Sequence, residues 1–111
     1  MSPDSPRVVA LGGGHGLAVT LRALRPIASD LTAIVTVADD GGSSGRLREE
    51  FGIIPPGDLR MALAALCDDQ ASGWGEVIQH RFHGSGPLAG HAVGNLLLAA
   101  LWELHDDPVA G

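Results

Sequence analysis

The sequence predicts an α/β protein built on a parallel sheet, and three observations carry that prediction. "RVVAL" (Arg7–Leu11) is a short β-rich run halted by Gly12, Gly13 and Gly14. Leu17, Leu21 and Leu24 then recur at helical spacing until Pro26. "LTAIVTV" (Leu31–Val37) follows, dense in β-branched residues. Strand, glycine loop, helix and strand form a βαβ unit, with parallel strands and a right-handed crossover.

Each element has a local reason. The first helix is expected over His15–Arg25, and the second strand is expected to be buried on both faces. From Asp39 to Gly52 the chain reads as a polar loop punctuated by glycine. Pro55-Pro56-Gly57 forces a turn, Asp58 suits a helix N-cap, and Leu59, Ala62, Leu63 and Leu66 make one apolar face. "WGEVIQHRF" sets Trp74, Val77, Ile78 and Phe82 at helical offsets, and "GSGPLAG" reads as a turn-forming linker. A last helix, about His91 to His105, places Val93, Leu96, Leu97, Ala100, Leu101 and Leu104 on one stripe. Cys67 and Trp102 read as packing residues. Two strands fall short of a stable open sheet. Residues 1–111 are therefore expected to be a single (sub)domain of a longer chain, and a homo-oligomer is also expected.

Composition narrows the function. A chain of 111 residues that is 45% hydrophobic is one globular unit at most. A net charge of -6 argues against a nucleic-acid binder, which presents a basic face. One cysteine makes no internal disulfide, no signal peptide is legible, and "LLLAALW" is far short of a membrane span. A cytoplasmic location follows as the expectation. All seven cations are arginine: Arg7, Arg22, Arg25, Arg46, Arg48, Arg60 and Arg81. Without lysine there is no P-loop, so a bound phosphate must rest on backbone N–H groups, helix N-termini, arginines or a metal.

The chemistry gathers at the expected ligand edge of the sheet. "GGGHG" (Gly12, Gly13, Gly14, His15 and Gly16) joins strand to helix, where bare backbone admits an anion; it is equally the composition of a tight turn. Leu17 stands where the dinucleotide fingerprint needs a small residue, which disfavours an NAD-dependent oxidoreductase. Asp39 and Asp40 end the second strand and suit ribose hydroxyls or Mg²⁺, or merely a cap and a solvated acid. Gly41, Gly42, Ser43 and Ser44 offer hydrogen-bond donors, and Arg46, Arg48 and Arg60 follow with guanidinium forks. Pairing of Arg46 and Arg48 with neighbouring acids is the alternative. His91 and Asn95 sit four apart near the start of the last helix, able to read a base or sugar or to bind a neighbouring loop. His80, His83 and His91 lack the acidic or cysteine ligands that would complete a metal site.

Together, "ALGGGHGLAVTLRAL", "LTAIVTVADDGGSSGRLREEF", "IPPGDLRMALAAL" and "LAGHAVGNLLLAAL" resemble the bacterial gluconeogenesis-factor family, a relative of the 2-phospho-L-lactate transferases. The resemblance runs from about Arg7 to Leu104 and is most specific in "ADDGGSSGRLR". It implies a Rossmann-like three-layer parallel sheet, of which this chain is an incomplete N-terminal portion. It implies a ligand of the nucleotide-sugar class, notably UDP-N-acetylglucosamine, and a role in growth, cell shape and cell-wall synthesis on gluconeogenic carbon. The matching positions are Gly12, Gly13, Gly14 and Gly16; Asp39 to Ser44 with Arg46; Pro56, Gly57, Asp58 and Arg60; and Gly90, His91, Gly94 and Asn95. Two positions depart: His15 stands where Thr is usual, and Met61 where Asn is common. On this reading diphosphate lies on Gly12–Gly16, ribose or Mg²⁺ at Asp39 and Asp40, and Arg46 and Arg60 offset charge. The alternative is a transferase of a phosphate-linked group, its arginines stabilising charge on the transferred phosphate.

Overall fold

A computed structural model describes residues 4–67 and 73–111 of the chain. Strand β1 (Arg7–Gly12) and strand β2 (Asp30–Val35) run parallel, in register from Arg7 opposite Asp30 to Gly12 opposite Val35. Between them lies helix α1 (Gly14–Leu24), which buries Leu17, Ala18 and Leu21. The βαβ unit is therefore present as the apolar spacing requires. Val8, Ala10, Leu31, Ala33 and Val35 point to the face that α1 covers, and Ala10 with Leu17, Ala18 and Leu21 joins Met61, Ala62 and Ala65 in one core.

Two features of the strands differ from expectation. Strand β2 starts at Asp30 and stops at Val35, two residues short of Val37. It is also covered on one face only: Val9, Leu11 and Ile34 on the other face are 57%, 73% and 54% exposed. The apolar run is continuous because both faces are hydrophobic, yet no element among the described residues packs on the second. Among the described residues the sheet has these two strands, with helices on one face.

The next helix was not legible as one. Helix α2 (Gly42–Phe51) occupies most of the expected loop. Arg46, Leu47, Arg48, Glu49 and Glu50 are good helix formers. Gly52 ends the helix in the left-handed conformation, its N–H donating to the Arg48 carbonyl at 2.9 Å. Its one buried apolar side chain is Leu47, so the periodicity that marks an amphipathic helix is missing.

Helix α3 (Gly57–Leu66) has its N-cap at Pro56, two residues before the expected cap, and Asp58 falls in the first turn. Its buried side is Met61, Ala62, Ala64 and Ala65, whereas Leu63 and Leu66 are 46% and 37% exposed. Small side chains let α3 lie close against α1, and the larger Leu63 and Leu66 stay partly exposed. Arg25, at the end of α1, donates to the carbonyls of Ala65 and Cys67 and ties the two helices together.

Helix α4 (Trp74–Gln79) is shorter than the spacing of Trp74 to Phe82 suggests. After it, Arg81 pairs with Ala92 in an antiparallel bridge, with Phe82 N–H donating to His91 O and Val93 N–H to His80 O. That bridge delays helix α5 (Val93–His105) by two residues, leaving His91 before its first turn. Helix α5 buries Gly94, Asn95 and Trp102, while Leu97 and Leu104 of the expected stripe are 44% and 76% exposed. Gly94 is needed there: a Cβ would come within 2.7 Å of Arg60 Cγ and 2.8 Å of the Ile78 carbonyl. No helix among the described residues is long and apolar enough to cross a membrane.

Candidate functional site

The carboxyl ends of β1 and β2 open into a cleft of about 690 Å³. Gly14 and His15 line it from the start of α1, Ala38 and Asp39 from the end of β2, and Asp58 and Arg60 from α3. Gln79 and Arg81 close the far side. This is the edge at which parallel α/β sheets receive ligands. A second hollow of about 500 Å³, between Leu47 and Phe51 of α2 and Leu96 and Trp102 of α5, is mainly apolar and lies elsewhere.

The glycine loop is tightly organised. At Gly13 a Cβ would collide with Thr36 Oγ1 and approach the Asp58 carboxyl at 3.2 Å, so only glycine lets that carboxyl lie against the head of α1. Asp39 is committed in a similar way. Its Oδ1 accepts the Gly41 N–H at 3.1 Å, ahead of α2, and its Oδ2 lies beside Gly57 at the head of α3. Both acids therefore face the partial positive charge of helix starts.

Arg60 is the unusual group. It is only 5% exposed, yet its Nε and Nη1 have no hydrogen-bond partner among the described residues. Burial pushes its pKa below the usual arginine value, the charge of Arg81 adds to that, and Asp39 and Asp58 oppose it. A buried, incompletely bonded guanidinium at the floor of a cleft is costly unless something else bonds it.

The other expected site residues form a separate group. Ser43 Oγ lies 2.7 Å from His91 Nδ1 and accepts from Asn95 Nδ2 at 3.1 Å and from the Ala92 N–H at 3.4 Å. With its oxygen accepting twice, the hydroxyl proton goes to His91 Nδ1, which leaves a neutral imidazole carrying its proton on Nε2. Burial lowers the His91 pKa, Arg46 and Arg81 lower it too, and Glu50 opposes them. The Ser–His contact has the length of a nucleophile–base pair, but Ser43 is 3% exposed and fully engaged. It pins the start of α2 to the start of α5. Ser44 Oγ, also buried, accepts the Gly57 N–H at 2.9 Å and fixes α3 to α2.

Arg46 does not line the cleft and donates to the carbonyls of Ala89 (3.0 Å) and Pro87. Asp40 lines a shallow depression with Gly45, Arg48 and Glu49. Asp39 and Asp40 thus open on different hollows, and among the described residues no group of three or more His, Cys, Asp or Glu is set to hold a metal. Of the sequence candidates, the structure brings Gly14, His15, Asp39, Asp58 and Arg60 to the cleft, with Gly13 beneath. Gly12, Gly16, Asp40 and Gly42 do not line it. Gln79 and Arg81 were missed. The one available signal was a lone cation, Arg81, between two histidines in a net-acidic chain.

The family model for 2-phospho-L-lactate transferase CofD matches residues 8–111. The chain belongs to this CofD family. Within it, the chain is 66% identical over 113 aligned residues to a Mycobacterium leprae protein that carries the gluconeogenesis-factor name, covering 99% of this chain and 32% of that one. It is 53% identical over 104 residues to the gluconeogenesis factor of Bacillus subtilis, covering 94% and 32%. A crystal structure of a Bacillus halodurans protein superposes with a TM-score of 0.83 at 49% identity, over 93% of this chain and 33% of that one. The CofD-family chain thus spans about a third of the length of these relatives. The two bare strands and single helical layer accord with that share.

Proposed function

We propose that this CofD-family chain forms the nucleotide-sugar-binding part of a gluconeogenesis factor, a regulatory protein that couples a UDP-N-acetylglucosamine-like ligand to growth and cell-wall synthesis on gluconeogenic carbon. The observation that carries the reading is the cleft at the strand ends, where Asp39, Asp58, Arg60 and Arg81 meet. Carboxylates accept from sugar hydroxyls, and guanidinium groups offset the charge of a diphosphate. The high identity to proteins bearing the gluconeogenesis-factor name supports the same reading. Calorimetry of the full-length protein against a nucleotide-sugar panel tests it. Binding of UDP-N-acetylglucosamine, lost in Asp39→Asn, is the expected result; binding of a dinucleotide and of no nucleotide sugar overturns it.

The family match favours a second reading, transfer of a phosphate-linked group. Arg60 and Arg81 would then stabilise charge developing on the transferred phosphate. Incubation of the full-length protein with candidate donors and Mg²⁺, followed by a search for transferred product, separates enzyme from binder. A product formed by the unaltered protein and lost in Arg60→Gln favours the transferase.

A further inference from the structure

We infer that the phosphate end of the ligand is held by Arg60 and Arg81 on the α3 side of the cleft, and that the glycine loop before α1 is not its seat. The inference rests on the nucleotide-sugar reading and assigns the diphosphate within that site. Three observations point to it.

The first is that the glycine loop already faces an anion. The Asp58 carboxyl stands 3.2 Å from the Cβ position of Gly13 and 3.7 Å from that of Gly14. The positive end of α1 is therefore met internally, and a phosphate placed there would lie against a carboxylate. The second is that Asp39 is likewise engaged, on the Gly41 N–H and beside Gly57. Both acids are directed at helix starts while lying near enough to Arg60 to raise its pKa, and the cationic side chains of the cleft are its two arginines.

The third is the state of those arginines. Arg60 is only 5% exposed, lines the cleft, and has no partner for Nε and Nη1 among the described residues. Arg81 is exposed at the cleft's far side, and its Nη1 is anchored on the Gly90 carbonyl at 2.8 Å. The two are close enough for Arg81 to lower the Arg60 pKa. Holding two like charges together over an open hollow is unfavourable alone and becomes favourable around a multiply charged oxyanion. A diphosphate meets both needs: it fills the free donors of Arg60 and bridges the pair. Gly94 is what allows this placement, because any side chain there would displace the Arg60 stem.

Inorganic diphosphate is the probe, titrated into full-length protein labelled with ¹⁵N-arginine and ¹⁵N-glycine. The Arg60 Nε–H resonance is expected to shift and saturate while the Gly13 and Gly14 amides hold still. Arg81→Gln, at an exposed position, is expected to weaken diphosphate at least tenfold, and Arg60→Gln to abolish detectable binding. The inference is overturned if unaltered protein does not bind diphosphate. It is overturned equally if the glycine amides shift while Arg60 does not, or if Arg81→Gln binds as tightly as the parent. Should Arg60→Gln fail to fold, the labelled parent and Arg81→Gln still decide. The two readings fail separately. Diphosphate bound at Arg60 with no nucleotide sugar bound defeats the functional reading alone. A nucleotide sugar bound equally well with or without Arg81 defeats this assignment alone.

Discussion

His91 shows what one buried side chain does for this fold. Its neutral ring accepts a hydrogen bond from the Ser43 hydroxyl, and burial holds its pKa below the unfolded value of about 6.5. In acid the unfolded chain binds a proton there that the folded chain resists, so this contribution is complete above about pH 6.5 and declines as the pH falls from there toward the lowered folded pKa. Urea midpoints of the full-length protein are expected to drop between pH 7.5 and 5.5, with a shallower drop in His91→Asn. An unchanged pH slope in that variant would remove His91 as the cause. Arg46 makes the complementary case. From sequence it reads as a ligand contact, whereas the structure has it clamp the Pro87–Ala89 segment. Arg46→Ala is therefore expected to speed amide exchange at residues 87–90 and to weaken ligand binding less than Arg60→Gln does. Loss of binding as complete as that of Arg60→Gln would return Arg46 to the site.

At the scale of elements, a close constraint lies where α5 meets α3 and α4. Gly94 leaves no room for a methyl group beside Arg60 Cγ and the Ile78 carbonyl. Gly94→Ala is expected to destabilise by about 1–3 kcal/mol, read from denaturant unfolding, because the carbonyl is backbone and cannot swing aside. A stability unchanged within a few tenths of that unit would mean that the helices separate freely. The βαβ unit was readable because β-branched runs and Leu17, Leu21 and Leu24 carry clear periods. Helix α2 was not, because Leu47 alone marks its inner face. For α3 and α5 the existence was legible and the orientation was not. Their leucines suggested the buried stripe, while alanine, glycine and asparagine on another side are what the neighbours cover.

The molecule is elongated, 50 × 27 × 24 Å, and among the described residues Val9, Leu11 and Ile34 are exposed on one side of a two-stranded sheet. Sheets of two strands are marginal in water. The 111-residue chain alone is expected to unfold over a broad denaturant range and to bind a hydrophobic dye. Protein of the length of its relatives is expected to unfold sharply and to bind little dye. A sharp, dye-free transition in the short chain would show that the bare face needs no cover.

The sequence by itself determined the α/β class, the parallel βαβ unit and the glycine, aspartate and arginine residues from which a site is built, because those follow from local spacing and residue chemistry. Only the tertiary structure decided which of them meet. It set Asp39, Asp58 and Arg60 in one cleft with Arg81, turned Arg46 and Asp40 elsewhere, and buried Ser43 with His91 and Asn95. Such partnerships join residues far apart in the chain, and their geometry depends on how closely α3 and α5 approach, which no local pattern encodes.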